Sequence, residues 1–221
     1  MNAPYIPLFC KSNFSFLEGA SHPEELVEQC AEYGLDEMAL CDRDGVYGVV
    51  QAHKRARDLG VDLIVGSQVT AEEDSSIVLL AQSRTGYANL CRLITTGQRR
   101  CEKGESNVRW EEVCEHAHDL IALWDGESDE IAGMLAEAFG DRLYIMIARH
   151  RRPGEVDREA KLKERAQRWE LPLVAVHEVL YHHRQRRRLQ DLLTCVRHGV
   201  TLHEAGTRTE PNAEHALKPA E

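Results

Sequence analysis

The sequence predicts an α/β fold in which mostly parallel strands alternate with helices. Seven short apolar stretches recur along the 221 residues, and most of them are separated by stretches whose apolar residues have helical spacing. No self-similarity with a period of 20–50 residues is visible, which argues against a repeat protein. The predicted strands are 6–9, 38–41, 63–65, 77–81, 120–124, 143–148 and 173–176.

Helix signals lie between these strands. Ser21 is a capping residue, Pro23 stands early in the helix, and Glu24 follows three positions after the serine, so a helix is predicted from here to Gly34. A turn at 42–45 precedes a second helix that ends at Gly60. Further helices are predicted near 87–94, 130–139, 157–169 and 187–196.

The C-terminal tail differs from the rest of the chain. Residues 204–221 contain Gly206, Pro211 and Pro219 and show little periodicity. We therefore predict one α/β domain over 1–203 and an extended connector over 204–221.

Composition excludes several functional classes. Hydrophobic residues make up 43% and charged residues 29% of the chain, as in globular proteins, and no apolar run is long enough to predict a membrane span. A net charge of -10 argues against a protein that coats nucleic acid. The seven cysteines are scattered without a CxxC pair, so we expect reduced thiols, no zinc ribbon and a cytoplasmic location.

Ligands of parallel α/β folds bind at the carboxyl ends of the strands, and these ends are poor in metal-binding groups here. Divalent metals prefer neutral imidazole and ionised oxygen ligands, whereas Lys11 and Arg43 would place cations beside them. The acidic and imidazole groups at these ends are Asp42, Asp44, His150, His177 and Glu178.

A basic stretch begins the last predicted helix. It is a weak candidate for nucleic-acid contact through phosphates, and it is equally typical of a solvated helix start. Its members are Arg184, Arg186, Arg187 and Arg188.

Several long segments carry a family resemblance. They include "SNFSFLEGASHPEELVEQCAEYGLDEMALCDRDGVYGVV", "LLAQSRTGYANLCRLITTGQRRCEKG", "LPLVAVHEVLYHH" and "PNAEHALKPAE", and they cover essentially the whole chain. The chain resembles the N-terminal polymerase-and-histidinol-phosphatase (PHP) domain of bacterial error-prone C-family DNA polymerases. The resemblance implies a distorted seven-stranded (β/α)7 barrel and a role in damage-induced translesion synthesis. It also implies a polymerase palm and fingers region as partner, in the same or a split chain, with DNA bound through the full-length enzyme and no membrane.

The metal motifs of that family are mostly lost. The matching positions hold residues that cannot replace the family's ligands, namely Phe9, Lys11, Arg43, Gln68 and Leu180. Family-matched candidates remain at Glu18, Asp42, His150 and Glu178. We expect Lys11 or Arg43 to pair with Glu18, Asp42 or Glu178, which would leave a scaffold without catalytic residues. No cofactor is expected, and zinc, manganese or magnesium would be bound only if the residual groups retain a site.

Two other classes stay open. One is a stand-alone metal-dependent phosphoesterase that uses the residual groups with His177. The other is a non-catalytic module that docks a polymerase or a mutagenesis protein. An apolar face on the last helix would serve such docking, and its predicted members are Leu189, Leu192, Leu193 and Val196.

Overall fold

A computed structural model describes residues 5–126 and 128–220, and within these ranges eight strands form one sheet. Their order across the sheet is β7-β6-β5-β4-β3-β2-β1-β8. The strands are β1 (Phe9–Cys10), β2 (Glu37–Arg43), β3 (Asp62–Thr70), β4 (Ser76–Ala81), β5 (Leu120–Trp124), β6 (Leu143–Ala148), β7 (Leu173–Val176) and β8 (Glu178–Val179).

The two edges of this sheet belong to one stretch of chain. β7 pairs in parallel with β6, β8 pairs in parallel with β1, and only His177 separates β7 from β8. The sheet therefore returns on itself as a nearly closed barrel. Glu178 lies opposite Phe9 in the pairing of β8 with β1.

The predicted α/β barrel with mostly parallel strands is confirmed, but its strand count needs correction from seven to eight among the described residues. The eighth strand, β8, has two residues and lacks the apolar run by which a strand is recognised in a sequence. In addition, β4 runs antiparallel to both β3 and β5. The connection from β3 to β4 is too short for the crossover that a parallel pair requires.

Helices cover the sheet with their apolar faces. α1 begins at the predicted Pro23, buries Leu26, Val27 and Cys30, and is followed by Gly34 at a φ of 67°. The short α4 was not predicted, because one and a half turns carry too little periodicity to be recognised. The helices are α1 (Pro23–Glu32), α2 (Val49–Leu59), α3 (Arg84–Arg100), α4 (Trp110–Glu115), α5 (Asp129–Phe139), α6 (Glu155–Arg168) and α7 (Arg187–His198).

Part of the predicted connector packs against the barrel. His215, Ala216 and Leu217 are buried, and the amide of Leu217 donates to the carbonyl of Tyr181 at 3.0 Å. The amide of Leu180 donates to the carbonyl of His215 at 2.9 Å. The tail thus lies against the residues that follow β8, and the domain limit at 203 remains a prediction.

Two predictions from composition can be compared with the structure. All seven cysteines are free thiols, as expected. Over residues 5–126 and 128–220, every helix is too short or too polar to cross a lipid bilayer.

Candidate functional site

The carboxyl ends of β1, β2 and β8 meet at one rim of the barrel. Lys11 follows β1 directly, and its amide donates to the carbonyl of Val179 at 2.9 Å. This bond extends the pairing of β1 with β8 by one residue. Lys11 is therefore held at the seam where the barrel closes, with Glu178 on the strand beside it.

Lys11 is a buried cation between two carboxylates. Its Nζ lies 3.1 Å from Oε2 of Glu18 and 2.7 Å from Oε1 of Glu178. Burial alone would lower the pKa of Lys11, but Glu178 and Glu18 more than offset that effect and raise it. The pKa of Glu178 is lowered to about 2, because Lys11 and His215 outweigh the effect of its burial. The charges of Lys11 and Glu178 are therefore both present at neutral pH.

Glu18 binds two further cations through its other oxygen. Nη1 of Arg43 and Nη1 of Arg197 each lie 2.7 Å from Oε1 of Glu18. Arg43 ends β2, and Arg197 lies in the last turn of α7. We call the five residues Lys11, Glu18, Arg43, Glu178 and Arg197 the rim ion-pair cluster.

Asp42 does not join this cluster. Its Oδ1 accepts from the Ser12 amide and the Ser15 hydroxyl, and its Oδ2 accepts from the Ser12 hydroxyl, all at 2.7 Å. Burial raises the pKa of Asp42, although these hydrogen bonds oppose the shift. The Asp42 carboxylate thus holds the loop after β1 in place. Among the ion pairs of the described residues, Lys11 and Arg43 pair with glutamates, and the expected pairing of either with Asp42 is not found.

The remaining positions matched to lost ligands have packing or hydrogen-bonding roles. Phe9 is buried in the core, and its ring centroid lies 5.1 Å from Nζ of Lys11. Leu180 packs with Ala20 and Tyr181. Gln68 donates from Nε2 to the Ser76 hydroxyl at 3.1 Å, while its buried Oε1 has no hydrogen-bond partner among the described residues.

Three buried histidines stack beside Glu178. The rings of His150 and His215 are parallel, with centroids 3.9 Å apart, and the His177 ring lies 4.9 Å from that of His150. His177 donates from Nε2 to the Ala216 carbonyl, and Nδ1 of His215 contacts the Glu178 carbonyl at 2.9 Å. Burial lowers the pKa of both His150 and His177 to about 4. His150 also has its buried Nε2 without a hydrogen-bond partner in the part of the chain that the structure describes.

These groups do not form a metal-binding arrangement. Across residues 5–126 and 128–220, no three His, Cys, Asp or Glu side chains are placed so that they could hold one metal ion. The Lys11 ammonium already binds one oxygen of each glutamate, and Asp42 is bound to its loop. A fixed cation at this position repels a second one strongly, since the site is partly shielded from water.

Two cavities meet at the rim. One measures about 460 Å³ and is lined by the rim ion-pair cluster together with Arg208 and Glu210. The other measures about 420 Å³ and is lined by His150, Asp125 and Arg158 among others. They share Gln68, Ser76 and Glu178 as a common wall. We call the first of them the rim cavity.

Comparison with known families identifies this barrel. The family model described as "PHP domain" matches residues 8–170. The chain belongs to the PHP domain family.

Curated relatives of this PHP domain are DNA polymerases. The chain is 45% identical to the error-prone DNA polymerase of Anaeromyxobacter sp. (strain K) over 98% of its own length and 20% of that protein. It is 34% identical over its whole length to error-prone DNA polymerase 1 of Agrobacterium fabrum, of which it covers 21%. The chain thus spans about a fifth of the length of these relatives.

Solved structures share the fold of this PHP domain. A protein of Bifidobacterium adolescentis, assigned as a metal-dependent phosphoesterase, superposes with a TM-score of 0.58 at 17% identity, over 80% of this chain and 88% of that one. A two-domain protein of Bacteroides vulgatus with a predicted PHP-like metal-dependent phosphoesterase superposes with a TM-score of 0.55 at 15% identity. The superposition covers 79% of this chain and 51% of the Bacteroides vulgatus protein. At such identities the likeness concerns the fold alone.

Two members of the site were missed in the sequence. Arg197 lies on an amphipathic helix, and His215 lies in a tail without periodicity. Each reaches the rim only because α7 and the tail fold back over it. For His215, the signal in the sequence is the family-like segment "PNAEHALKPAE", in which it lies.

The basic stretch before α7 is partly neutralised within the PHP domain. Arg186 forms an ion pair with Glu25, and Arg187 donates to the Glu210 carbonyl at 2.7 Å. Arg184 and Arg188 are exposed. Nucleic-acid contact by the four arginines remains a weak prediction.

Proposed function

We propose that this chain is the PHP part of an error-prone DNA polymerase and that its rim serves as a structural, metal-free site. The observation that carries the proposal is the Lys11 ammonium between Glu18 and Glu178. These ion pairs occupy carboxylate oxygens of Glu18 and Glu178 that a metal ion would need as ligands. The similarity to error-prone polymerases over nearly the whole chain supports the first half of the proposal.

The rim ion-pair cluster has a stabilising role in this proposal. It joins the end of β1, the end of β2, the start of β8 and the last turn of α7, which are distant in sequence. Removing one member of a buried ion pair leaves an uncompensated charge, which costs several kcal/mol. The cluster thus holds the barrel seam closed and fixes α7 to it.

Metal loading combined with a hydrolysis assay tests the metal-free site. The purified chain is incubated with zinc or manganese, separated from free metal and measured by elemental analysis and with a generic phosphodiester substrate. We expect well below one metal ion per chain and no hydrolysis above that of the variant Glu18→Gln/Glu178→Gln. Two or more tightly bound ions with turnover abolished in that variant would instead establish the phosphoesterase alternative.

The outer face of α7 supports contact with the remainder of a polymerase. Leu192 is 53% and Val196 66% exposed, and Leu189, three residues before Leu192, is exposed on the same side of α7. Leu193, which was predicted to belong to this face, instead packs partly buried against the cluster around Tyr181. We propose that palm and fingers of the same or a split chain cover this face, and that DNA is bound through that larger enzyme.

Reading the DNA that follows this sequence, and joining the chain to any palm and fingers region encoded there, tests that proposal. We expect the joined protein to extend primers on damaged template and the isolated chain to lack this activity. A complete gene that ends at this domain, with no polymerase gene beside it, would favour the alternative of a separate interaction module.

A further inference from the structure

The wall of the rim cavity carries more positive than negative charge, even when all carboxylates of the rim ion-pair cluster are counted. Three cations, Lys11, Arg43 and Arg197, are shared between the two carboxylates of Glu18 and Glu178. The other charged residues of the lining, Arg208 and Glu210, balance one another, and His198 adds an imidazole. The cavity wall therefore carries one net positive charge in a chain whose net charge is -10.

The two arginines hold unused donors at this cavity. Each contacts Glu18 through Nη1. Among the described residues, Glu18 is the only ion-pair partner of Arg43 and of Arg197. A guanidinium has five N–H donors in a planar fork, so Nη2 and Nε remain for a second partner. The side chains of Arg43 and Arg197 are 31% and 43% exposed, so solvent and ligands reach them.

The opposite wall adds neutral polar groups. Thr70, Ser75 and Ser76 line the cavity with hydroxyls. The Thr70 hydroxyl donates to Asp44 and the Ser75 hydroxyl to the Glu72 carbonyl, whereas the Ser76 hydroxyl accepts from Gln68 and so keeps its own proton available for donation. A volume of about 460 Å³ is within the range of small-ligand sites, which runs from about 300 to 1,000 Å³. Two guanidinium groups with the Ser76 hydroxyl as a further donor match the oxygens of a tetrahedral oxyanion.

We propose that the rim cavity binds a phosphate monoester or inorganic phosphate directly, with Arg43 and Arg197 as the main ligands and no metal ion. The inference rests on the proposed metal-free site. The fixed charges of Lys11 and the arginines supply the electrostatic attraction that metal ions would provide in a metal-loaded site. Glu18 has a positioning role, because it holds the two guanidinium groups side by side.

Titration calorimetry in the presence of a chelator, at constant ionic strength set by chloride, tests the site. The probes are inorganic phosphate, dAMP and deoxyadenosine. We expect saturable binding of the two phosphate compounds and none of deoxyadenosine. The ratio of the affinities for dAMP and inorganic phosphate tells whether the nucleoside contributes. Binding of deoxyadenosine as strong as that of dAMP would overturn the inference, because the phosphate would then have no role.

The variant Arg43→Gln/Arg197→Gln is expected to weaken phosphate binding at least tenfold. The control Arg57→Gln/Arg84→Gln removes the same charge from exposed positions outside the cavity and should leave binding unchanged. Equal weakening by both double variants would show attraction by net charge alone and overturn the site. The single variant Arg197→Gln, at the more exposed position, keeps the test decisive if the double variant does not fold.

Two outcomes separate this inference from the proposed function. Phosphate binding that appears only after zinc or manganese is added would overturn both. Absence of phosphate binding with and without metal would overturn this inference and leave the metal-free structural site in place.

Discussion

The Lys11 ammonium lies 2.7 Å from a carboxylate oxygen of Glu178, a residue 167 positions away in the sequence. The two residues sit at the seam where β1 pairs with β8 and the barrel closes. Because this buried ion pair lies at the seam, it forms only when β1 pairs with β8 and the sheet closes.

Lys11→Met is expected to lower the free energy of unfolding by about 3–5 kcal/mol, because Glu18 and Glu178 then lose their shared buried cation. Chemical denaturation measures the change. The matched control Lys54→Met, at an exposed position of α2, should change stability by less than about 0.5 kcal/mol. Adding Glu178→Gln to Lys11→Met should recover part of the loss, and a loss below about 1 kcal/mol for Lys11→Met would contradict the structural role.

Acid is expected to destabilise the protein through His150 and His177 before it protonates Glu178, whose pKa is about 2. His150 and His177 fold with a pKa near 4, below the value of about 6.5 in an unfolded chain, so the unfolded state binds more protons in between. Their contribution to stability is full above about pH 6.5 and is lost as the pH falls toward 4. Groups facing His150 include His215, Glu178, Arg152 and Glu155.

Urea unfolding at several pH values measures this effect. We expect a loss of about 4 kcal/mol between pH 7 and pH 5, about half of it from each histidine, and a shallower pH dependence for His150→Gln. His53→Gln, on the exposed side of α2, provides the control. A stability that stays constant over this pH interval would contradict the burial of neutral histidines.

Asp42→Ala is expected to release the loop after β1. The Ser12 amide loses its carboxylate acceptor, and a buried unsatisfied donor costs about 1–3 kcal/mol. Hydrogen exchange should quicken at the Ser15 and Gly19 amides, whose bonds to Ser12 and Ser15 depend on the loop. Asp62→Ala, at an exposed position, should leave the exchange of these amides unchanged.

Leu192→Ser/Val196→Ser is expected to change the stability of the isolated chain by less than about 0.5 kcal/mol, because both side chains are exposed. In the protein joined to its polymerase region, the same change should weaken the contact and reduce primer extension. Arg57→Ser/Arg84→Ser alters two exposed residues away from α7 and should leave primer extension within about twofold. Equal activity of the Leu192/Val196 variant and the parent protein would exclude α7 as the docking face.

The fold class was predictable because buried strands and helices have apolar patterns that are visible within short stretches of the sequence. Apolar runs at 120–124, 143–148 and 173–176 coincide with β5, β6 and β7, and the proline near the start of α1 marks its first turn. No local apolar pattern reveals the antiparallel direction of β4 or the existence of the two-residue strand β8. Strand direction and pairing depend instead on where neighbouring strands lie.

The sequence by itself determined that metal-ligand positions of this family hold Phe9, Lys11, Arg43, Gln68 and Leu180, because residue identity alone decides whether a group can bind a metal. Only the tertiary structure decided which cation pairs with which carboxylate. Asp42 was taken by the Ser12 loop, whereas Arg197, 179 residues from Glu18, reached the rim. Ion pairs need contact within about 4 Å, and for residues so far apart in the chain that distance is set by the closure of the barrel and the return of α7 over it.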